Sequence, residues 1–207
     1  MIINILFLSV FSKIPYWYNP SIHTFGNIGI LGTIHGAITP FMTRLIDNKA
    51  YSGRDVRKEI YDTLEGDVLD ICCGTGFSTR PGNVGVDTSL EMLKFTNIFN
   101  PGCNYLFGNA ENYGDDNEFD TISCMFAFHE MPTCAHEKII RNSIRVAKKE
   151  IVIVDISTNY KPSNIMLSGE PYITNYLKNI DQTMYNYGFK KHVLIKNHVD
   201  VWKYNLE

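Results

Sequence analysis

The chain has 207 residues, 44% of them hydrophobic and 20% charged, with a net charge of −3. That balance and length suit one globular domain with one core. The 19 Lys and Arg form no long run, which argues against a basic nucleic-acid-binding footprint.

The opening stretch "MIINILFLSVF" is apolar but too short to span a bilayer, and it lacks the basic region of a signal peptide. It reads as a segment packed on the domain, with weak membrane-surface contact as the other reading. Next, "YWYNPSIHTFGNIGILGTIHGAITP" mixes aromatics with Gly and Pro and predicts loops. "PFMTRLIDNKA" and "RDVRKEIYDTL" have helical spacing, and Val56, Ile60 and Leu64 form a stripe before a stop at Glu65-Gly66. Residues 1–66 are thus expected to form a helical, aromatic cap belonging to the same domain as residues 67–207.

From Asp67 short apolar runs alternate with helical patterns. Strands are predicted in "DVLDI", "NVGVD", "NYLFGNA", "FDTISCMFAF" and "EIVIVDIS". Helices are predicted in "SLEMLKFTNIF", "CAHEKIIRNSIRVAKK" and "PYITNYLKNIDQTMYNYG", and two strands, "KKHVLIKNH" and "VDVWKYNL", close the chain. The alternation predicts an α/β, Rossmann-like, seven-stranded and mostly parallel sheet. Two final strands with no helix between them place an antiparallel strand near one edge.

"DVLDICCGTGFSTRPGNVGVD" holds the first candidate site. An odd count of five cysteines argues against a disulfide framework, and adjacent Cys72 and Cys73 suit no single zinc ion. No metal site is expected, and a reducing, cytoplasmic compartment fits best. Gly74 and Gly76 allow a tight turn at the carboxyl end of the first strand, where open α/β sheets bind ligands. Asp70 sits directly before that turn and opposes a diphosphate, and the phosphate-loop pattern is absent. Only twelve residues separate Ile71 from Val84, so any helix there is short and a poor phosphate site. Asp87 ends the second strand, where an acid accepts hydrogen bonds from ribose hydroxyls. Two acids around a glycine turn suit a nucleoside with cationic groups, such as S-adenosylmethionine, with Asp70 toward its amino-acid end.

"VLDICCGTGFST" resembles motif I of class I S-adenosylmethionine-dependent methyltransferases, most closely the ubiquinone/menaquinone-biosynthesis-type group. "GVDTSLEML", "GNAENYG" and "FDTISCMFAFHEMP" resemble that family's ribose, adenine and active-site segments, in order, over about residues 66–157. The resemblance implies a cofactor site of Asp70, Cys72, Cys73, Gly74, Thr75, Gly76, Asp87, Thr88, Met92, Asn109, Ala110, Glu111 and Phe126. Two positions depart from the pattern: Cys72 stands where the family often has Gly, and Asn109 where it often has Asp.

Three segments are expected to line the acceptor pocket. The cap contributes Tyr16, Tyr18 and His23, with the tyrosines closing over the methionine end, while Trp17 and Phe25 read as packing. The loop after the fourth strand contributes His129, as base or as an orienting group, and Glu130. The segment after the fifth strand contributes Asp155 and Tyr160, and is otherwise read as surface loop. His35, His136, His192 and His198 read as surface or core residues. A short cap and insert imply a small-molecule or lipid-headgroup acceptor, an amine favoured over oxygen or carbon. The alternatives are a methyltransferase-like scaffold subunit and an NAD-type oxidoreductase.

Overall fold

The computed structural model describes residues 15–206, so the expectation for "MIINILFLSVF" lies outside the described residues. In chain order the elements are α1 (Gly29–Ala50), α2 (Val56–Tyr61), β1 (Val68–Ile71), β2 (Val84–Asp87), α3 (Leu90–Phe99), β3 (Asn104–Phe107) and β4 (Phe119–Met125). There follow α4 (Thr133–Val146), β5 (Ala147–Ile156), α5 (Asn164–Gly169), α6 (Ile173–Asn186), β6 (Lys190–Ile195) and β7 (Val199–Asn205). Short 3-10 turns span Tyr16–Tyr18 and Phe128–Glu130.

The seven strands form one sheet in the order β3-β2-β1-β4-β5-β7-β6. β1 pairs in parallel with both β2 and β4, and β4 in parallel with β5. β7 is antiparallel to both its neighbours, β5 and β6. The fold class expected from the alternation is therefore the one observed. The crossing between β2 and β4 on either side of β1 is the switch point beyond which such sheets hold ligands.

The central strands are apolar because both faces are covered. Every residue of β1 is buried, as are Ile151 to Ile156 of β5. α4 and α6 bring Ile139, Ile140, Ile173, Tyr176 and Ile180 to one face, joined there by Trp202. Val56, Ile60 and Leu64, the predicted stripe, pack with Val68, Val152 and Val201 on the other. Ser89 and Asp55 accept from Met92 N and Lys58 N and cap α3 and α2.

Three local expectations are corrected. Residues 29–39, expected as loop, are the first half of α1, which runs through Pro40. No helix at all joins β1 to β2; residues 72–83 are a succession of turns. Asn164–Gly169, expected as surface loop, is α5, capped by Ser163 accepting from Met166 N at 3.2 Å.

α1 reaches α3 through a glycine. A Cβ at Gly36 would lie 2.7 Å from the Phe95 ring, so only glycine permits that approach. Gly29 N donates to Glu91 Oε1 at 3.0 Å, and Ser89 Oγ to Asn27 O. The helix's buried positions are Gly32 and Gly36, whereas Ile30, Ile34, Phe41 and Ile46 are exposed. No helix among the described residues is long and apolar enough to cross a membrane.

Candidate functional site

A cavity of about 690 Å³ lies between the carboxyl ends of the strands and the segment 16–50. One wall is the turn after β1. Cys72 has φ +58°, Gly74 +54° and Gly76 +90°, so the chain reverses through three left-handed residues. That conformation is natural for glycine and strained for Cys72, the position where the resembling family often has Gly. A Cβ added at Gly74 would meet no atom within 4 Å, and Gly74 lines the cavity, so its missing side chain leaves open space there. Gly76 has a different duty: a Cβ there would come 2.6 Å from the Tyr105 hydroxyl.

The turn is tied down from beneath. Asp70 is fully buried and accepts from Ser78 Oγ and Thr79 Oγ1, both at 2.8 Å, and from Ser123 Oγ at 3.2 Å. Burial pushes its carboxyl up to about 6, against the lowering effect of these three hydroxyls. Asn100 Nδ2 donates to Gly76 O at 2.7 Å and to Thr79 O at 2.8 Å. These side-chain bonds replace the missing crossover helix.

Asp87 lines the cavity at the end of β2. Its Oδ2 accepts from Gly74 N and its Oδ1 from Ser89 N, each at 2.8 Å. Burial raises this carboxyl to about 6 as well, with the two backbone donors opposing. Each oxygen keeps a lone pair for a further donor. Asn109 also lines the cavity, its Oδ1 accepting from Glu111 N at 2.9 Å.

The opposite wall carries a chain of acids and histidines. His129 Nδ1 lies 2.6 Å from Asp155 Oδ1, and His129 N donates to Asp155 Oδ2 at 3.1 Å. His129 Nε2 is 4.0 Å from Glu130 Oε1. Glu130 Oε1 is 2.7 Å from His23 Nε2, whose Nδ1 is 2.6 Å from Glu170 Oε1. Both nitrogens of His23 face carboxylates, so both carry protons and the ring is an imidazolium. Burial opposes that charge, but Glu130 and Glu170 hold the ring well above the ordinary range. For His129 burial likewise lowers and Asp155 raises, and the balance lies at about 9. In the protonated ring that Asp155 favours, Nε2 is a hydrogen-bond donor rather than a base. Burial raises the Tyr16 hydroxyl far above its usual range, which keeps it a phenol.

The cavity gathers most of the predicted residues: Tyr16, His23, Cys72, Cys73, Gly74, Thr75, Asp87, Thr88, Met92, Asn109, Ala110, Phe126, His129, Glu130 and Tyr160. Five lie outside its lining. Asp70 is spent on the turn's hydroxyls rather than facing a ligand. Gly76 packs on Tyr105. Glu111 pairs with Lys138 at 3.0 Å. Tyr18 packs edge-on to Trp17. Asp155 lies behind His129 and is bonded to it. Trp17 and Phe25, expected only to pack, line the cavity. Glu170 escaped notice because "SGEPY" looks like a polar loop before a proline; the signal available was an acid at the start of a helical pattern, which does not announce burial.

A family model described as a methyltransferase domain matches residues 68–150. No curated protein matches the chain. A structure of an S-adenosylmethionine-dependent methyltransferase from Thermotoga maritima, described as a possible histamine N-methyltransferase, is 18% identical over 84% of this chain and 99% of its own, with a TM-score of 0.60. An S-adenosylmethionine-dependent methyltransferase from Aquifex aeolicus is 16% identical over 81% and 98%, with a TM-score of 0.57. Magnesium protoporphyrin IX methyltransferase from Synechocystis, with bound S-adenosylhomocysteine, is 13% identical over 88% and 89%, with a TM-score of 0.54.

Proposed function

We propose that the chain, whose residues 68–150 match a methyltransferase domain, is a class I S-adenosylmethionine-dependent methyltransferase that methylates a small amine held in the cavity between the strand ends and the cap. The residues present fit the cofactor. Gly74 leaves the open space that a nucleoside against the turn requires, and Asp87 offers lone pairs for ribose hydroxyls. Asn109, Ala110, Thr88 and Met92 line the same cavity, which supports their meeting the adenine. When bound, the cofactor supplies an electrophilic sulfonium methyl, which an acceptor lone pair takes by in-line displacement.

The protein's contribution is to hold and to polarise. Positioning of well-oriented reactants is worth on the order of 7–11 kcal/mol, and the cap, with Tyr16, Trp17 and Ile22 on the cavity wall, supplies a closed space for it. His129, fixed by Asp155, orients an acceptor by donating from Nε2. Glu130, kept ionised chiefly by His23 against the opposing effect of burial, faces positive charge. A carboxylate there holds a cationic group of the amine substrate by charge-assisted hydrogen bonds. The observation that carries this reading is the Asp155–His129–Glu130–His23–Glu170 chain on the wall opposite the glycine turn. The Thermotoga protein's description as a possible histamine N-methyltransferase agrees with an amine but does not identify one here.

A panel of amines, thiols, phenols and quinols, read by S-adenosylhomocysteine release, tests the proposal. Turnover confined to amines, and reduced at least about tenfold in Glu130→Gln, is expected. Turnover of quinols or phenols with amines inert contradicts it.

A further inference from the structure

We infer that His23 occupies the seat of a cationic group of the acceptor: its ring, pinched between Glu130 and Glu170 inside the cavity, is an internal stand-in that the acceptor displaces. The inference rests on the methyltransferase reading and narrows its substrate class.

The two carboxylates come from separate walls, Glu130 from the turn after β4 and Glu170 from the joint between α5 and α6. His23 bridges them through 2.7 and 2.6 Å contacts. Such a seat selects a cation with two N–H donors, an ammonium, amidinium or imidazolium. It is also not saturated. The Glu170 side chain is 7% exposed, and its Oε2 has no hydrogen-bond partner among the described residues. A buried acceptor without a donor is costly and points to a missing partner.

The residue filling the seat is held there under backbone strain. His23 has φ +52° and Thr24 +66°, two consecutive non-glycine residues in the left-handed region. Neighbouring Phe25 is exposed. The turn is strained at His23 and Thr24 while the buried Ile22 anchors it, so a better cation can displace the His23 ring from between the carboxylates.

The chemistry then restricts the acceptor. An amine seated between two carboxylates is held as its ammonium, which has no lone pair. The atom that takes the methyl must be a different, uncharged one on the same molecule. The acceptor therefore has two functional groups: a cationic anchor at Glu130 and Glu170, and a nucleophile facing the glycine turn.

The test uses protein saturated with S-adenosylhomocysteine and two probes of equal size, imidazole and pyrazole, at about pH 6, where imidazole is largely protonated and pyrazole is not. Binding is measured by calorimetry to wild type, His23→Ala and the double variant H23A/E170Q. His23→Ala should bind imidazole at least about tenfold tighter than pyrazole, as expected for charge-assisted bonds. Wild type, its seat filled, should bind imidazole at least about tenfold more weakly than His23→Ala, and the double variant should lose the preference. Equal affinity of His23→Ala for both probes, or a preference that survives in the double variant, overturns the inference. Should His23→Ala not fold, His23→Gln, neutral and of similar length, is judged by the same criteria. For any amine turned over by wild type, His23→Ala should lower KM; a raised KM would mark His23 as merely structural. Failure of wild type to bind S-adenosylhomocysteine removes the methyltransferase reading itself, which separates the two failures.

Discussion

Asp70 and Asp87 show how position divides two similar acids. Both are buried and both are raised to about 6, yet Asp70 meets three hydroxyls below the turn and Asp87 opens onto the cavity. The first fixes the turn's shape and the second is free to meet a ligand. His129 and Asp155 form a comparable pair in which one residue acts through the other. Because the folded-state His129 is raised to about 9 from 6.5, its stabilising contribution is complete below about pH 6.5 and is lost as pH rises through 9. The shift corresponds to up to about 3 kcal/mol. Asp155→Asn should remove most of that dependence, flattening the fall in urea-unfolding free energy between about pH 6.5 and 9. His23, which is raised too, leaves a residual slope. Identical slopes in wild type and variant would contradict the assignment of the proton to this pair.

At the scale of elements, α1 buries only Gly32 and Gly36 along its 22 residues. It meets α3 through Gly36 against Phe95, while Ile30, Ile34 and Phe41 face outward. Gly36→Leu should overpack that contact and cost about 1–3 kcal/mol in urea unfolding. Ile30→Ser, on the exposed face, should change stability by less than about 0.5 kcal/mol. Equal effects would show that the helix is seated otherwise. This helix also marks where local sequence signals failed. "GNIGILGTIHG" has four glycines, which argues for loop, but two of them, Gly32 and Gly36, are the close-approach face of a helix. The crossover after β1 failed in the opposite direction. A helix was expected because parallel strands commonly need one, and here Asn100 and the Asp70 hydroxyl network hold a bare turn instead. Strands were legible because β1, β4 and β5 are apolar runs bounded by turns. The cofactor side was legible because glycines and acids sit close together in sequence. The acceptor side was only partly so, since Glu170 reaches His23 across 147 residues and no local pattern records the contact.

For the molecule as a whole, sheet order fixes where function can reside. β1 sits between β2 and β4, and the chain leaves it through Cys72 to Gly76 into the cavity. The ends of β2, β4 and β5 deliver Asp87, His129 and Asp155 to the same end of the sheet, and the segment 16–50 closes over them. A diphosphate entering there meets the buried carboxylate of Asp87, whereas a sulfonium nucleoside offers it hydroxyl donors and positive charge. The most direct measurement is calorimetric titration of wild type and Asp87→Ala with S-adenosylhomocysteine and with NAD. Wild type should bind the adenosyl compound and leave NAD unbound, and Asp87→Ala should weaken that binding at least about tenfold, as loss of charge-assisted hydrogen bonds requires. NAD binding in preference to S-adenosylhomocysteine, or an Asp87→Ala protein that binds the adenosyl compound as wild type does, would contradict the account.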